Sequence, residues 1–95
     1  SPELKSGLFQ VEFLDTLAQA QAADGQTAKA IETTRAALDG APKDTGIRFN
    51  LAKLLVAAGE KRQAKVELDR LAALGKAFPK QDEVEKLLKD LGPGG

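Results

Sequence analysis

The stretch Asn50–Leu71, NLAKLLVAAGEKRQAKVELDRL, constrains the fold more than any other part of the chain. Leu51, Leu54 and Leu55 recur at i, i+3 and i+4, and Ala58 extends the same stripe, which is the spacing of an amphipathic helix. After Gly59 the phase restarts with Ala64, Leu68 and Leu71. Ala52 and Ala64 place small side chains where two helices must come closest. The stretch predicts a helix–turn–helix hairpin folded at Gly59, and the rest of the chain reads as copies or partial copies of it.

In chain order, Ser1–Gly7 carries turn-type residues and is expected to be a frayed lead-in. Leu8–Ala23 is predicted as a first helix with Phe13, Leu14, Leu17 and Ala18 as its apolar stripe, Leu8 and Phe9 extending it toward the N-terminus. Asp24-Gly25 ends it, Gly25 being free to take a left-handed cap. A second helix, Gln26–Leu38, would bury Ala30, Ile31, Thr34, Ala37 and Leu38. Asp39-Gly40-Ala41-Pro42 breaks the chain. Asp44 is a good N-cap for a third helix over Thr45–Ala58. Glu60–Leu74 forms a fourth, closed by Gly75, and Phe78-Pro79 bends the chain. Gln81–Leu91 is a fifth helix with Val84, Leu87, Leu88 and Leu91 on one face, closed by Gly92, and Gly92–Gly95 is an expected disordered tail. No run alternates with period two, so no strand is expected. Loops this short make successive helices antiparallel neighbours in an all-α fold.

Composition narrows the function classes. At 95 residues the chain is one domain at most. It has no Cys, which excludes disulfides and thiolate metal sites and leaves the compartment open, and no His, the commonest general base and metal ligand. Lys+Arg and Asp+Glu are 14 each, yet residues 1–44 carry a net −3 and the remainder +3. That split is either two solvated faces or a weak head-to-tail match between copies. No apolar run reaches the length of a membrane span, and no signal peptide is present. The chain opens Ser1-Pro2-Glu3 without an initiator Met, which raises the expectation of a fragment of something longer. Asp15, Asp24, Glu32, Asp39, Glu60, Glu67 and Asp69 are the candidate catalytic carboxylates. None has a plausible base or nucleophile beside it, so no catalytic, cofactor or metal site is expected and the chain reads as a non-enzyme. Gly40 and Gly46 fit no phosphate-loop spacing. Lys61-Arg62 stands without interleaved aromatics, so nucleic-acid binding is not expected either.

Residues 11–44 laid on 45–78, an offset of 34, match at Leu17/Leu51, Ala18/Ala52, Ala23/Ala57, Gly25/Gly59 and Ala30/Ala64. The matches are a Leu-Ala pair in the first helix, the turn Gly, and an Ala five positions after it. On these residues the chain resembles the tetratricopeptide repeat family. The fifth helix echoes the third at an offset of 33, through Val84/Leu51, Leu87/Leu54, Leu88/Leu55 and Gly92/Gly59. The expected organisation is one domain: repeat 1 over 11–44, repeat 2 over 45–78, a capping helix over 79–92 and a tail over 93–95. The pattern LDTLA…G…A…P…FNLAKLL…G…A…L..L…FP…EVEKLLKDLG is also similar to the C-terminal repeats of bacterial proteins of this family, including large lipoproteins of exosortase and exopolysaccharide systems.

The resemblance implies an α-solenoid fragment with a right-handed superhelical path, the first helix of each hairpin lining a concave groove. Ala18 and Ala52 take the small position of the first helix, Ala30 and Ala64 that of the second, and Pro42 the repeat-closing Pro. The chain departs from the pattern in several places. Leu14 and Arg48 stand at the aromatic position, Gln21 and Leu55 at the large one, and Lys76 replaces the second closing Pro. Carried over by position, the groove would be lined by Glu12, Asp15, Gln19, Ala22, Gly46, Phe49, Lys53, Val56 and Ala57. Phe49 is then either an exposed aromatic anchor or a residue packed on the neighbouring hairpin. Asn50 matches the Asn with which chaperone-binding members grip peptides. Asp15 stands where their Lys should be and would repel a peptide carboxylate, so Asn50 is expected to bond within the hairpin. The resemblance implies a module that binds a protein or peptide segment in its groove, or else a capping and spacing segment of a longer scaffold. A concentration-dependent homodimer is expected through Leu8, Phe9 and Phe13, by end-to-end stacking or by exchange of a terminal helix.

Overall fold

The same turn is built twice, once in each hairpin. Gly25 and Gly59 sit at φ +78° and +76°, a region that L side chains avoid. Around the first, Asp24 N–H donates to Ala20 O at 3.0 Å, Gly25 N–H to Ala22 O at 3.0 Å and Gln26 N–H to Gln21 O at 2.9 Å. Around the second, Ala58 N–H donates to Leu54 O at 2.9 Å, Gly59 N–H to Val56 O at 3.0 Å and Glu60 N–H to Leu55 O at 2.9 Å. These bonds satisfy the last carbonyls of each incoming helix and reverse the chain.

A computed structural model describes residues 2–93, and the side chains of residues 7–93. It contains α1 (Pro2–Ala23), α2 (Thr27–Gly40), α3 (Thr45–Ala57), α4 (Lys61–Ala73), a 3-10 turn (Gly75–Ala77) and α5 (Gln81–Leu91). Among the described residues there is no strand. α1 packs along α2 and α3 along α4, while α2 meets α3 and α4 meets α5, so the helices stack in chain order. The extents of 46 × 31 × 17 Å are those of a slab of stacked hairpins.

Three expectations change. The lead-in Ser1–Gly7 is helical from Pro2 onward: a proline in the first turn has its φ pre-set and needs no N–H partner there. α2 continues through Gly40 instead of breaking at Asp39, and Gly40 sits against α1. A Cβ there would lie 2.8 Å from Val11 Cγ2. On α1 the covered side runs through Val11, Leu14 and Ala18, whereas Phe13 is 67% exposed and Leu17 36%. The helix has a second apolar stripe, and that one is bare. Of the expected tail, Gly94 and Gly95 lie outside the described residues, as does Ser1.

The core lies in the second hairpin and α5. Phe49, Ala52, Leu68, Leu71, Phe78 and Val84 form one cluster, with Val56, Leu87, Leu88 and Leu91 against it. Leu51, Leu55 and Ala64 form a second, covered by Ile31 and Leu38 of α2. Ala30, Ala52 and Ala64 are fully buried, as close helix contact demands. Asp44 caps α3, its Oδ1 accepting from Ile47 N–H at 3.0 Å. The 3-10 turn carries the chain from α4 to α5, where Gln81 Nε2 donates to the carbonyls of Leu71 (2.7 Å) and Gly75 (2.8 Å).

Candidate functional site

Between α1 and α3 lies an open cavity of about 230 Å³. α1 supplies Asp15, Ala18, Gln19 and Ala22, spaced i, i+3, i+4, i+7 on one helix face. α3 supplies Asn50, Lys53 and Leu54 at i, i+3, i+4, and α2 supplies Thr34. Ala18, Ala22 and Leu54 make an apolar floor; Asp15, Gln19, Asn50 and Lys53 make a polar rim. Gln19 Nε2 donates to Asp15 Oδ2 at 3.3 Å. Thr34 is 1% exposed, and its hydroxyl finds no partner among the described residues. A buried polar atom without a partner is uncommon, and here it belongs to the cavity wall.

Of the residues placed in the groove from sequence, the structure brings Asp15, Gln19, Ala22 and Lys53 to this one cavity. Glu12, Gly46 and Ala57 are exposed and stand outside its lining. Val56 packs on the core. Asn50, expected to serve the hairpin, lines the cavity instead.

Phe49 is a correction to the exposed-anchor reading: it is 2% exposed. The chain after α4 brings Phe78 over it, with ring centroids 5.4 Å apart and planes tilted by 59°. Lys53 Nζ sits 4.7 Å from the Phe49 ring centroid and Lys80 Nζ 5.8 Å from it. Lys53 thus belongs to the groove rim while resting on the aromatic core beneath it. Thr34 and Leu54 were missed. The available signal for Thr34 was a hydroxyl on the otherwise apolar face of α2.

On the far side of α3, Arg48 replaces the aromatic that the resemblance led one to expect. Its guanidinium pairs with the buried carboxylate of Glu67 on α4 and donates to the Pro42 carbonyl at 3.0 Å. Arg70 adds a contact to Glu67 at 3.6 Å. An ion pair here ties α3, α4 and the α2–α3 connection together, the task of an aromatic plug done by charge. Among the described residues no group of His, Cys, Asp and Glu has the arrangement of a metal site, and no helix is long and apolar enough to cross a membrane.

Hairpins that meet through small residues, turn at positive-φ glycines one repeat apart and leave a groove between successive first helices define a helical-repeat protein of the α-solenoid class. The family model for the tetratricopeptide repeat matches residues 21–91, and the chain belongs to that family. Comparison with curated proteins and with solved structures found no match. Tetratricopeptide repeats generally mediate protein–protein interactions and generally serve as non-enzymatic scaffolds.

Proposed function

We propose that this chain is a non-enzymatic module that binds a peptide segment in the groove between α1 and α3. The observation that carries the reading is the cavity itself: an apolar floor, a rim bearing one carboxylate, one ammonium and two amides, and a buried hydroxyl without a partner. Such a site suits an extended segment whose small apolar side chain enters the floor while its polar groups meet the rim. The division into repeats at 11–44 and 45–78, followed by a capping helix, is supported by the recurrence of the Gly25 turn bonds around Gly59.

The test is selection of a random peptide library displayed on phage against the immobilised chain, followed by amide shift mapping with the selected peptide. Shifts are expected at Asp15, Gln19, Asn50 and Lys53, and Ala22→Trp, which fills the floor, should abolish binding without lowering the melting temperature. Peptides that map elsewhere, or a library that yields none, would overturn the reading. A second role, capping and spacing within a longer scaffold, is favoured by α5. It buries Val84 and turns Asp82, Glu83, Glu85, Lys86, Lys89 and Asp90 to solvent, the polar outer face typical of a capping helix.

A further inference from the structure

We propose that the outward face of α4, with the hollow between its C-terminal end and the α2–α3 connection, is a docking surface for an acidic peptide segment in which carboxylates alternate with bulky apolar side chains. The hollow measures about 420 Å³ and opens to solvent. Three of its six lining side chains are cations, Lys43, Arg48 and Arg70, and none is a carboxylate. Pro42 and Leu74 supply apolar walls and Thr45 a hydroxyl.

The three cations differ in what they are free to do. Arg48 is committed: its guanidinium pairs with Glu67 and donates to the Pro42 carbonyl at 3.0 Å. Arg70 is exposed and reaches the same Glu67 only at 3.6 Å. Lys43 makes no ion pair among the described residues. One carboxylate thus stands behind three cations, and the hollow keeps a surplus of positive charge beside apolar walls. A carboxylate entering it gains charge-assisted hydrogen bonds from groups that otherwise face water. On the other side of Arg48 lies a second hollow, where Asp39 offsets Arg35.

The surface runs on from the hollow along α4. Arg62, Val66, Arg70 and Leu74 follow one another at i+4 and all are exposed, Val66 by 45% and Leu74 by 43%. They form one oblique ridge in which cation and apolar side chain alternate. The flanks of the ridge are satisfied within the chain: Lys65 pairs with Asp69 at 2.7 Å, and Gln63 accepts from Arg35 at 2.5 Å. Arg62 makes no ion pair among the described residues. Each step along the ridge is about 6 Å, and alternate side chains of an extended chain are about 6.7 Å apart. An extended segment therefore keeps step with it, carboxylates at Arg62 and Arg70 and apolar side chains at Val66 and Leu74. The apolar members of the ridge are aliphatic, which suits a peptide and gives the bases of a nucleic acid no ring to stack on. The α1–α3 groove draws on α1, α2 and α3 alone, so both surfaces can be occupied together.

Amide shift mapping of the whole chain against a capped peptide, Leu-Ser-Glu-Ser-Leu-Ser-Glu, tests this. Saturable shifts are expected at Thr45, Val66, Arg70 and Leu74 and not at Asp15, Asn50 or Lys53. Replacing both Glu of the peptide by Gln, or both Leu by Ser, should weaken binding about tenfold or more. Arg70→Gln should do the same; Lys43→Gln, in a connection with no ion pair to lose, is the second variant, and circular-dichroism melts check that both fold. Added salt should weaken the Glu peptide several-fold and leave the Gln peptide unchanged. No saturable shift with the Glu peptide at millimolar concentration overturns the proposal, as do shifts that map to the groove or equal binding of the Gln peptide. Tighter binding of an oligothymidylate than of the peptide overturns it too and assigns the face to nucleic acid.

Discussion

The same substitution at two phenylalanines decides between the two places the sequence left open for Phe49, core or exposed anchor. Phe49 is 2% exposed and stacked at a tilt on Phe78, among Ala52, Leu68, Leu71 and Val84. Phe49→Ala removes the buried ring and leaves a void that rigid neighbours on α3, α4 and α5 fill only in part. The expected loss is about 3–5 kcal/mol, out of a total near 5–14 kcal/mol for a chain of this length. At about 4–8 °C per kcal/mol for small domains, the melting point should fall by at least about 12 °C. Phe13→Ala removes an identical ring from a position 67% exposed and should change stability by less than about 0.5 kcal/mol. Urea denaturation of both variants, with the slope checked for constancy, reads the difference directly. Equal losses, or a larger loss at Phe13, would refute the packing described here.

Three further outcomes follow from the contacts. Gly40→Ala should destabilise by about 1 kcal/mol despite the better helix propensity of Ala, since the new Cβ meets Val11 Cγ2 at 2.8 Å. Adding Val11→Ala should recover part of that loss, which a double-mutant cycle measures. Glu67→Ala should cost about 1–3 kcal/mol by stranding the largely buried Arg48 guanidinium, while Arg48→Met with Glu67→Met should restore most of it, as read by denaturation midpoints. Native-state hydrogen exchange should show the highest protection in α3 and α4 and the earliest opening in α1; uniform protection across the helices would contradict it.

The turns were legible because their chemistry is local. A positive φ at Gly25 and Gly59 demands glycine whatever surrounds it, and an Ala five positions later marks the contact. Helix ends fell close to their observed places except at the N-terminus, where Gly7 reads as a breaker although the helix continues back to Pro2. Which apolar stripe is covered was not legible. A first helix of a stacked hairpin carries two such stripes, one for its own partner and one for the preceding hairpin, and periodicity reports both alike. Phe13 and Leu17 were therefore assigned to the covered side in place of Val11. Phe49 stood open between anchor and core for a different reason: what buries it includes Phe78, far along the chain, delivered by a 3-10 turn whose path no helical period encodes. In the groove, the family resemblance placed Asp15, Gln19 and Ala22, and their helical spacing is consistent with one face. Thr34 reaches the same cavity from α2, a contribution that depends on how the hairpin packs.

The distribution of buried bulk explains why the groove sits where it does. The largest fully buried side chains are Phe49, Leu51, Leu55, Leu68, Leu71, Val84 and Thr34, and all but the last lie in α3, α4 and α5. The first hairpin meets through Ala18, Ala30, Ala37 and Thr34 instead. Small residues bring α1 and α2 close but contribute little buried apolar area, which at about 25 cal/mol per Å² is what holds a helix pair together. One wall of the groove, α3, is thus anchored on its far side by the Arg48–Glu67 pair and beneath by the Phe49–Phe78 pair, whereas the other wall, α1, meets α2 along its length through small side chains and bears an uncovered aromatic ridge on its back.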